Sequence, residues 1–158
     1  MGSGKTTVGR LLAERLDRPF VDSDEQVEAR AGRTVRDIFE SDGEPAFRRL
    51  EAAALDAAVS RDVPAVIAAA GGVVLDPANR DLLRRAGTVV WLRAEARVLA
   101  ERATGGIHRP LLEHDPEGVL MRMQSERRPL YEDVADHVVD VGDRSPEELA
   151  AHLEALVS

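Results

Sequence analysis

A glycine-rich stretch, Gly-Ser-Gly-Lys-Thr-Thr at residues 2–7, stands directly before an amphipathic helical pattern, and this junction constrains the fold more than any other feature. Apolar residues at positions 8, 11, 12 and 16 predict a helix over 6–16. Glycines allow successive backbone N–H groups to face phosphate oxygens, and the helix N-terminus favours negative charge. The sequence therefore predicts a phosphate-binding loop. The alternative is a flexible glycine-rich segment before a helix.

The only lysine of the chain lies in this loop. Its 21 basic residues are 20 arginines and Lys5, and the planar guanidinium of arginine does not replace a compact ammonium. In loops of the pattern G-x-x-x-x-G-K-S/T, the lysine reaches the β- and γ-phosphates of a nucleotide and the next hydroxyl, here Thr6, ligates Mg²⁺. We therefore expect Mg²⁺ as cofactor and ATP contacts from Gly2, Ser3, Gly4, Lys5, Thr6 and Thr7.

The phosphate-loop pattern is incomplete at its start. Its first glycine would fall before residue 1, and no apolar strand precedes the loop. Because that strand ordinarily positions the loop, we expect the working protein to carry about ten further residues that form it.

The rest of the chain alternates short apolar runs with helical patterns, which predicts a single α/β domain over 1–158 with a parallel sheet. Continuous apolar runs predict strands that are buried on both faces. Extended or strand segments are expected at 19–21, 63–69, 88–92 and 137–141. Helices are expected at 25–31, after a capping box at Thr34 and Asp37, after a second at Ser41 and Glu44, after Asp76-Pro77, at 94–103, at 116–135 with an interruption near Pro129, and after Ser145-Pro146.

Composition excludes several classes of function. The net charge of −8 repels nucleic acids and anionic membranes. The absence of cysteine excludes disulfides and thiolate chemistry. The chain has five aromatic residues, so its core must be aliphatic. With no apolar run near 18 residues and no signal-peptide pattern, we expect a cytoplasmic protein. The four histidines lack metal-ligand spacing.

Further motifs follow the phosphate loop in a fixed order. They are Asp22-Ser23-Asp24, the Gly32-Arg33-Thr34 to Phe39 segment, Phe47-Arg48-Arg49-x-Glu51, Ala70-Gly71-Gly72, Arg109-Pro110-Leu111-Leu112 and Arg127-Arg128-Pro129-Leu130-Tyr131. With them, the chain resembles the shikimate kinase family. The resemblance implies a three-layer P-loop kinase fold of the nucleoside-monophosphate-kinase type. It also implies a parallel sheet of order 2-3-1-4-5, whose central first strand would be the missing one.

The activity that this resemblance implies is ATP-dependent phosphorylation of the 3-hydroxyl of shikimate, in aromatic amino acid biosynthesis. ATP and shikimate would be the partners of a monomer that binds neither nucleic acid nor membrane. One alternative is a related kinase of a carboxylate-bearing polyol, such as gluconate. Another is a non-catalytic nucleotide-binding protein, if the strand before the loop is truly absent.

Two carboxylates, Asp22 and Asp24, lie two residues apart at a predicted strand end. One such group can hold Mg²⁺ through water while the other accepts a proton from a hydroxyl. The alternative is a helix N-cap, because Asp is a preferred capping residue. The resemblance gives the metal role to Asp22, and the catalytic and substrate-binding role to Asp24.

The expected substrate-binding residues also have ordinary alternatives. Arg48 and Glu51 are three residues apart on a helix and could form a surface ion pair, and Gly71-Gly72 could be a plain strand-to-loop turn. The resemblance implies instead that Arg48 and Arg127 bind the carboxylate of shikimate, with Glu51 orienting Arg48. It further implies that the backbone of Gly71 and Gly72 approaches the substrate hydroxyls.

The polar segment 104–116 reads as a loop, and a solvated arginine is the ordinary interpretation of Arg109. The resemblance implies a lid whose Arg109 closes over the transferring phosphoryl group, making it catalytic with Lys5 and Asp24 and a contact of ATP. It implies a further ATP contact from Arg144, although that region could equally be a helix cap.

Two positions depart from the family pattern. Ala70 stands where the family usually has the first of three glycines, which would strain the backbone by roughly 1 kcal/mol or more if a positive φ were required there. Ala103 stands where some members carry an arginine that stacks on adenine, and Arg102 is one residue away.

Overall fold

The computed structural model describes residues 3–99 and 115–158. Gly2, Arg102, Ala103 and Arg109 lie outside the described residues, together with the last four residues of the predicted helix 94–103 and most of the predicted loop 104–116. The helices are α1 (Lys5–Arg15), α2 (Ser23–Ala31), α3 (Val35–Asp42), α4 (Glu44–Val59), α5 (Pro77–Ala86), α6 (Pro116–Val134) and α7 (Pro146–Val157). The strands are β1 (Phe20–Asp22), β2 (Val66–Ala68), β3 (Val90–Arg93) and β4 (His137–Asp140), and Gly71–Leu75 forms a 3₁₀ helix.

The strands pair in parallel, as the alternation of strands and helices predicts. β1 pairs with β2, with Phe20 opposite Val66, and β3 pairs with β4, with Val90 opposite His137. Within the described residues these pairs are two separate two-stranded sheets. The fold is therefore helix-rich, with small parallel sheets.

The expectation of strands buried on both faces is wrong for β2 and β3. Most of their side chains are half-buried, and within the described residues each strand has a hydrogen-bonded neighbour along one edge only. The predicted strand over 63–69 is also shorter than expected. Val63 is exposed and Pro64 has no N–H for a sheet ladder, so β2 begins at Val66.

The core is mostly aliphatic, as the composition predicts, with Phe47 as a buried aromatic member. Its largest cluster joins α1, α7 and the β3–β4 pair, and contains Val8, Leu12, Val139, Leu149 and Leu153. Smaller clusters lie under the 3₁₀ helix and among helices α2 to α4. Among the helices of residues 3–99 and 115–158, none combines the length and apolarity needed to cross a bilayer.

Most of the predicted helix ends are confirmed. Thr34 and Asp37 form a reciprocal capping box, Asp76 caps α5 before Pro77, and Ser145 caps α7. Gly32 ends α2 in the left-handed region, with φ of 64°, which glycine adopts without steric cost.

Two predicted boundaries are wrong. Ser41 does not open α4: it lies inside α3, where its hydroxyl donates to the carbonyl of Asp37 at 2.6 Å, and α4 begins after Gly43. Pro129 does not interrupt α6, which is continuous through it. A proline removes one helical N–H donor, and here packing of Leu130 and Tyr131 against the cluster under the 3₁₀ helix holds the following turn in place.

Candidate active site

The N-terminus of α1 has the features of an anion-binding site. Gly4 adopts a left-handed conformation, with φ of 82°, and no side chain caps the helix. The first turn contains Lys5, Thr6 and Thr7 and no acidic residue. The backbone N–H groups of this turn and the positive end of the helix dipole therefore favour an anionic ligand. Ser3, before the turn, is nearly buried.

Asp22 joins this turn to the end of β1. Its Oδ2 accepts a hydrogen bond from the hydroxyl of Thr6 at 2.7 Å, and its Oδ1 accepts from the backbone N–H groups of Asp24 at 2.9 Å and Glu25 at 3.4 Å. The N-cap interpretation is thus correct for Asp22. The same carboxylate nevertheless faces the phosphate loop with its second oxygen, so capping does not exclude a metal role.

The oxygens of Thr6 and Asp22 suit a hard divalent cation. In the part of the chain that the structure describes, no three His, Asp or Glu side chains gather into a complete metal cage. In kinases Mg²⁺ is held by one or two protein oxygens together with phosphates and water. The donor set therefore fits Mg²⁺ bound with a nucleotide.

Arg48 and Glu51 form a pair that is mostly shielded from water. Nη1 of Arg48 donates to both carboxylate oxygens of Glu51, at 3.1 and 2.9 Å, while its Nη2 donates to Glu44 at 3.0 Å. Glu51 is 2% exposed, so the alternative of a surface ion pair is wrong. The pair instead fixes the guanidinium in one orientation.

Charges on other helices act on Glu51. Burial raises its pKa, the guanidinium of Arg48 opposes that rise, the negative charge of Asp24 raises the pKa further, and Arg127 lowers it. Burial would lower the pKa of Arg48, but Glu51 and Glu44 outweigh it and raise that pKa. Asp24 on α2, Arg48 on α4 and Arg127 on α6 therefore lie within electrostatic reach of one buried carboxylate.

The 3₁₀ helix brings two glycines against these arginines. A Cβ on Gly72 would lie 1.9 Å from Nη1 of Arg48, and a Cβ on Gly71 would lie 2.9 Å from the hydroxyl of Tyr131 and 3.7 Å from Nη1 of Arg127. Close approach to side chains, rather than a positive φ, is what favours glycine at both positions.

Ala70 causes no strain at the position where the family has a further glycine. Its φ is −60° and its ψ is 142°, an extended conformation that any residue adopts. The departure from three glycines therefore leaves the backbone of the turn unaffected.

A cleft of about 370 Å³ opens beside this group, lined by Arg48, Glu51, Gly72 and Asn79, among others. A larger open depression, of about 550 Å³, lies at the C-terminal end of α1 around Arg10 and Phe20. None of the proposed catalytic or substrate-binding groups lines that depression, so the smaller cleft is the better candidate for part of the active site.

Arg144 is placed in the loop between β4 and α7. It is exposed, its backbone N–H donates to the carbonyl of Val141 at 3.2 Å, and its charge, after that of Arg93, contributes to lowering the pKa of Asp140. Arg109 and Gly2 lie outside the described residues.

Sequence reasoning missed two hydroxyl residues at this site. The hydroxyl of Ser23 accepts the backbone N–H of Ala70 at 2.9 Å, and the hydroxyl of Tyr131 donates to the carbonyl of Gly71 at 2.9 Å. Both residues lie within motifs that the sequence had singled out for their charged members. Residue type and spacing do not reveal a hydrogen bond to a backbone 47 or 60 positions away.

Comparisons with known proteins agree with this geometry. A family model described as shikimate kinase matches residues 1–157. A shikimate kinase from Symbiobacterium thermophilum is 52% identical over 156 residues, covering 97% of this chain and 89% of the relative. One from Aromatoleum aromaticum is 44% identical over 158 residues, covering 99% and 90%. The solved structure of shikimate kinase from Acinetobacter baumannii in complex with shikimate has a TM-score of 0.93 and 37% identity, covering 99% of this chain and 88% of that one.

Proposed function

The chain belongs to the shikimate kinase family, and we propose that Lys5 and Thr6 form the ATP side of its active site while Asp24, Arg48 and Arg127 form the shikimate side. The enzyme transfers the γ-phosphoryl group of ATP to the 3-hydroxyl of shikimate. The relatives bear this name over nearly the whole chain, which does not favour a gluconate kinase or a non-catalytic nucleotide-binding protein.

One observation carries the assignment of the site. The charges of Asp24, Arg48 and Arg127 come from three helices and act on the same buried Glu51. Shikimate has a carboxylate, which suits two guanidinium groups, and hydroxyls, one of which must lose a proton. A cationic pair with a carboxylate beside it supports this substrate class.

On the ATP side, the N–H groups at the start of α1 and the ammonium of Lys5 hold the β- and γ-phosphates. Thr6 and Asp22 would hold Mg²⁺, directly or through water, and Mg²⁺ would neutralise negative charge on those phosphates. Gly2, Ser3, Gly4 and Thr7 complete the proposed loop.

On the shikimate side, Arg48 and Arg127 bind the carboxylate and thereby fix the ring. The 3-hydroxyl oxygen bonds to the γ-phosphorus, the bond from that phosphorus to the bridging oxygen breaks, and ADP leaves. The hydroxyl proton passes to the carboxylate of Asp24. Such catalysis consists mainly of positioning and charge stabilisation.

Several parts of the proposal rest on the family resemblance. Arg109 would close over the transferring phosphoryl group as part of a lid at 104–116, and Arg144 would contact ATP. Gly71 and Gly72 would present their backbone to the substrate. A monomer in the cytoplasm, without nucleic acid or membrane partners, completes the proposal.

The two small sheets suggest the arrangement of the whole fold. We propose that β1 and β2 are strands 2 and 3, and β3 and β4 are strands 4 and 5, of one parallel sheet of order 2-3-1-4-5. The packing of α1 supports this proposal, because its buried cluster takes in side chains from β2 and β3 alike.

A substrate panel tests the proposed function. ADP release by the 158-residue chain and by a chain extended upstream is measured with shikimate, with gluconate and with neither. We expect release that depends on shikimate and is absent with gluconate. Release only with gluconate, or equal release without any acceptor, would contradict the assignment.

A further inference from the structure

Two hydroxyl groups on different helices form hydrogen bonds with the backbone of the glycine turn, residues 70–72. Ser23 accepts the N–H of Ala70, and Tyr131 donates to the carbonyl of Gly71, each at 2.9 Å. Ser23 is fully buried and lies between the two aspartates of the β1 end. The turn is therefore tied to α2 through one bond and to α6 through the other.

The surroundings of Tyr131 suit a fixed hydrogen-bond donor. Its ring stacks on Trp91 with centroids 5.2 Å apart, and it lies one helical turn after Arg127. Burial raises the pKa of Tyr131, against the opposing charge of Arg127, so the phenol stays protonated at neutral pH. A protonated hydroxyl can donate to a carbonyl without interruption over the working pH range.

The turn has little freedom to move without disturbing the arginines. The position that a Cβ of Gly72 would occupy is only 1.9 Å from Nη1 of Arg48. A shift of the turn by about one ångström toward Arg48 would therefore displace the guanidinium. Misplacing a binding group by about that distance can lower the reaction rate substantially. Two adjacent glycines are also the most flexible backbone a chain can have. External hydrogen bonds add to the internal hydrogen bonds of the 3₁₀ helix, such as that from the N–H of Val73 to the carbonyl of Ala70, in holding this segment in one conformation.

We propose that Ser23 and Tyr131 are positioning residues for shikimate, whose hydroxyls hold the 70–72 backbone in register with Arg48 and Arg127. This inference rests on the proposed function, because it assigns the turn to the shikimate side. The substrate then binds to a preformed surface, so no conformational entropy of the turn is lost on binding. ATP, bound at the start of α1, does not depend on these two bonds.

Two variants remove one bond each. Tyr131→Phe keeps the ring on Trp91, and Ser23→Ala removes the buried hydroxyl. We expect either change to raise KM for shikimate about 5- to 10-fold, the loss that one hydrogen bond brings, with KM for ATP changed less than about twofold. Ser23→Thr keeps a hydroxyl and should recover shikimate affinity. Ser41→Ala removes a hydrogen-bonded hydroxyl on α3, away from the turn, and serves as the control.

Amide hydrogen exchange provides a readout that needs no substrate. Exchange of the Ala70 N–H should accelerate in Ser23→Ala and stay slow in Ser41→Ala. Unchanged KM for shikimate in both Tyr131→Phe and Ser23→Ala would overturn the proposal, and so would equal rises in KM for shikimate and ATP, which indicate a general structural loss. If one variant fails to fold, the other still tests the proposal, because Ser23 and Tyr131 lie on different helices.

Failure of the proposed function has a different signature. In that case the unaltered enzyme shows no shikimate-dependent ADP release, even though amide exchange still reports the Ser23 bond. The assignment to shikimate would then fall together with the function. Shikimate-dependent release by the unaltered enzyme, with no change in either variant, would overturn the positioning role alone.

Discussion

The hydroxyl of Thr6 and Oδ2 of Asp22 are 2.7 Å apart, although the two residues are sixteen positions apart in the sequence. This contact joins the first turn of α1 to the end of β1. The other oxygen of Asp22 caps α2, so one carboxylate organises both the proposed metal position and the helix that carries Asp24.

Removing the Thr6 hydroxyl should weaken Mg²⁺ binding in the presence of ATP. We expect Thr6→Ala to raise the half-saturating Mg²⁺ concentration by about tenfold or more, comparable to the loss of other groups around metal sites, and Thr6→Ser to restore it. Asp22→Asn should have a similar effect without loss of the α2 cap, because Asn caps as well as Asp. Mg²⁺ titration of ADP release measures this, and an unchanged midpoint in Thr6→Ala would remove the hydroxyl from the metal site.

Gly72→Ala should impair substrate binding without unfolding the protein. The added Cβ would overlap the guanidinium of Arg48, which is the far end of a flexible side chain and can move away from Glu51. Moving the guanidinium leaves the buried Glu51 without its partner, so the free energy of unfolding should fall by roughly 1–3 kcal/mol. KM for shikimate should rise by about tenfold or more, as expected when a hydrogen-bonded charge is misplaced.

A double-mutant cycle checks the cause of this effect. In an Arg48→Ala background, Gly72→Ala should have no further effect on KM for shikimate, because the overlapping group is gone. Additive effects would show that the alanine acts through the turn rather than through Arg48.

Most helix ends could be predicted from the sequence. For the site, the sequence predicted which residues take part but not how close they lie to one another. Capping at Thr34, Asp76 and Ser145 depends on residues within one turn, so sequence alone reveals it. The closeness of Gly72 to Arg48 depends on how α4 meets the 3₁₀ helix. Sequence spacing carries no information on such a distance. The family resemblance identified these residues but did not explain why glycine is needed at position 72, which is the closeness of Arg48.

The burial of Glu51 has a consequence for the pH dependence of stability. Burial raises the pKa of Glu51 in the folded protein. As pH rises, the unfolded chain therefore loses the proton of Glu51 near the ordinary glutamate pKa, at a lower pH than the folded protein does. Stability contributed by protonated Glu51 is complete below that ordinary pKa and declines as pH rises through the raised one. Urea unfolding from pH 4 to pH 8 should therefore show the unaltered enzyme losing stability relative to Glu51→Gln.

The opposite trend in that comparison would contradict the direction of the shift. If Glu51→Gln became progressively less stable than the unaltered enzyme as pH rises, the ion pair with Arg48 would outweigh burial, and the folded pKa of Glu51 would be lowered.

Arg127 and Arg128 offer a matched pair of adjacent arginines. Arg127 is half-buried and near Gly71, whereas Arg128 is exposed and pairs with Glu132 at 2.9 Å. Arg127→Ala should raise KM for shikimate about 10- to 100-fold, because a hydrogen bond to a charged group contributes roughly 1.5–3 kcal/mol. Arg128→Ala should leave KM within about twofold, since exposed ion pairs contribute little. Equal effects of the two changes would remove Arg127 from the substrate site.

The sheets mark another limit of sequence reasoning. Parallel pairing follows from the alternation of strands and helices, but the apolar run 63–69 overstates both the length and the burial of β2. Burial depends on what lies along each edge and face of a strand, and the residues of that strand do not encode it. Pro129 is a similar case, because packing of Leu130 and Tyr131 overrides a local helix breaker.

Asp24→Asn tests the central claim most directly, because the substitution keeps the size of the side chain and removes its capacity to accept the proton of the 3-hydroxyl. Steady-state ADP release at saturating ATP and varied shikimate separates kcat from KM. The proposed mechanism predicts a kcat lower by about 10²-fold or more, the loss expected for a general base, with much smaller change in KM for shikimate. An unchanged kcat in Asp24→Asn would contradict it.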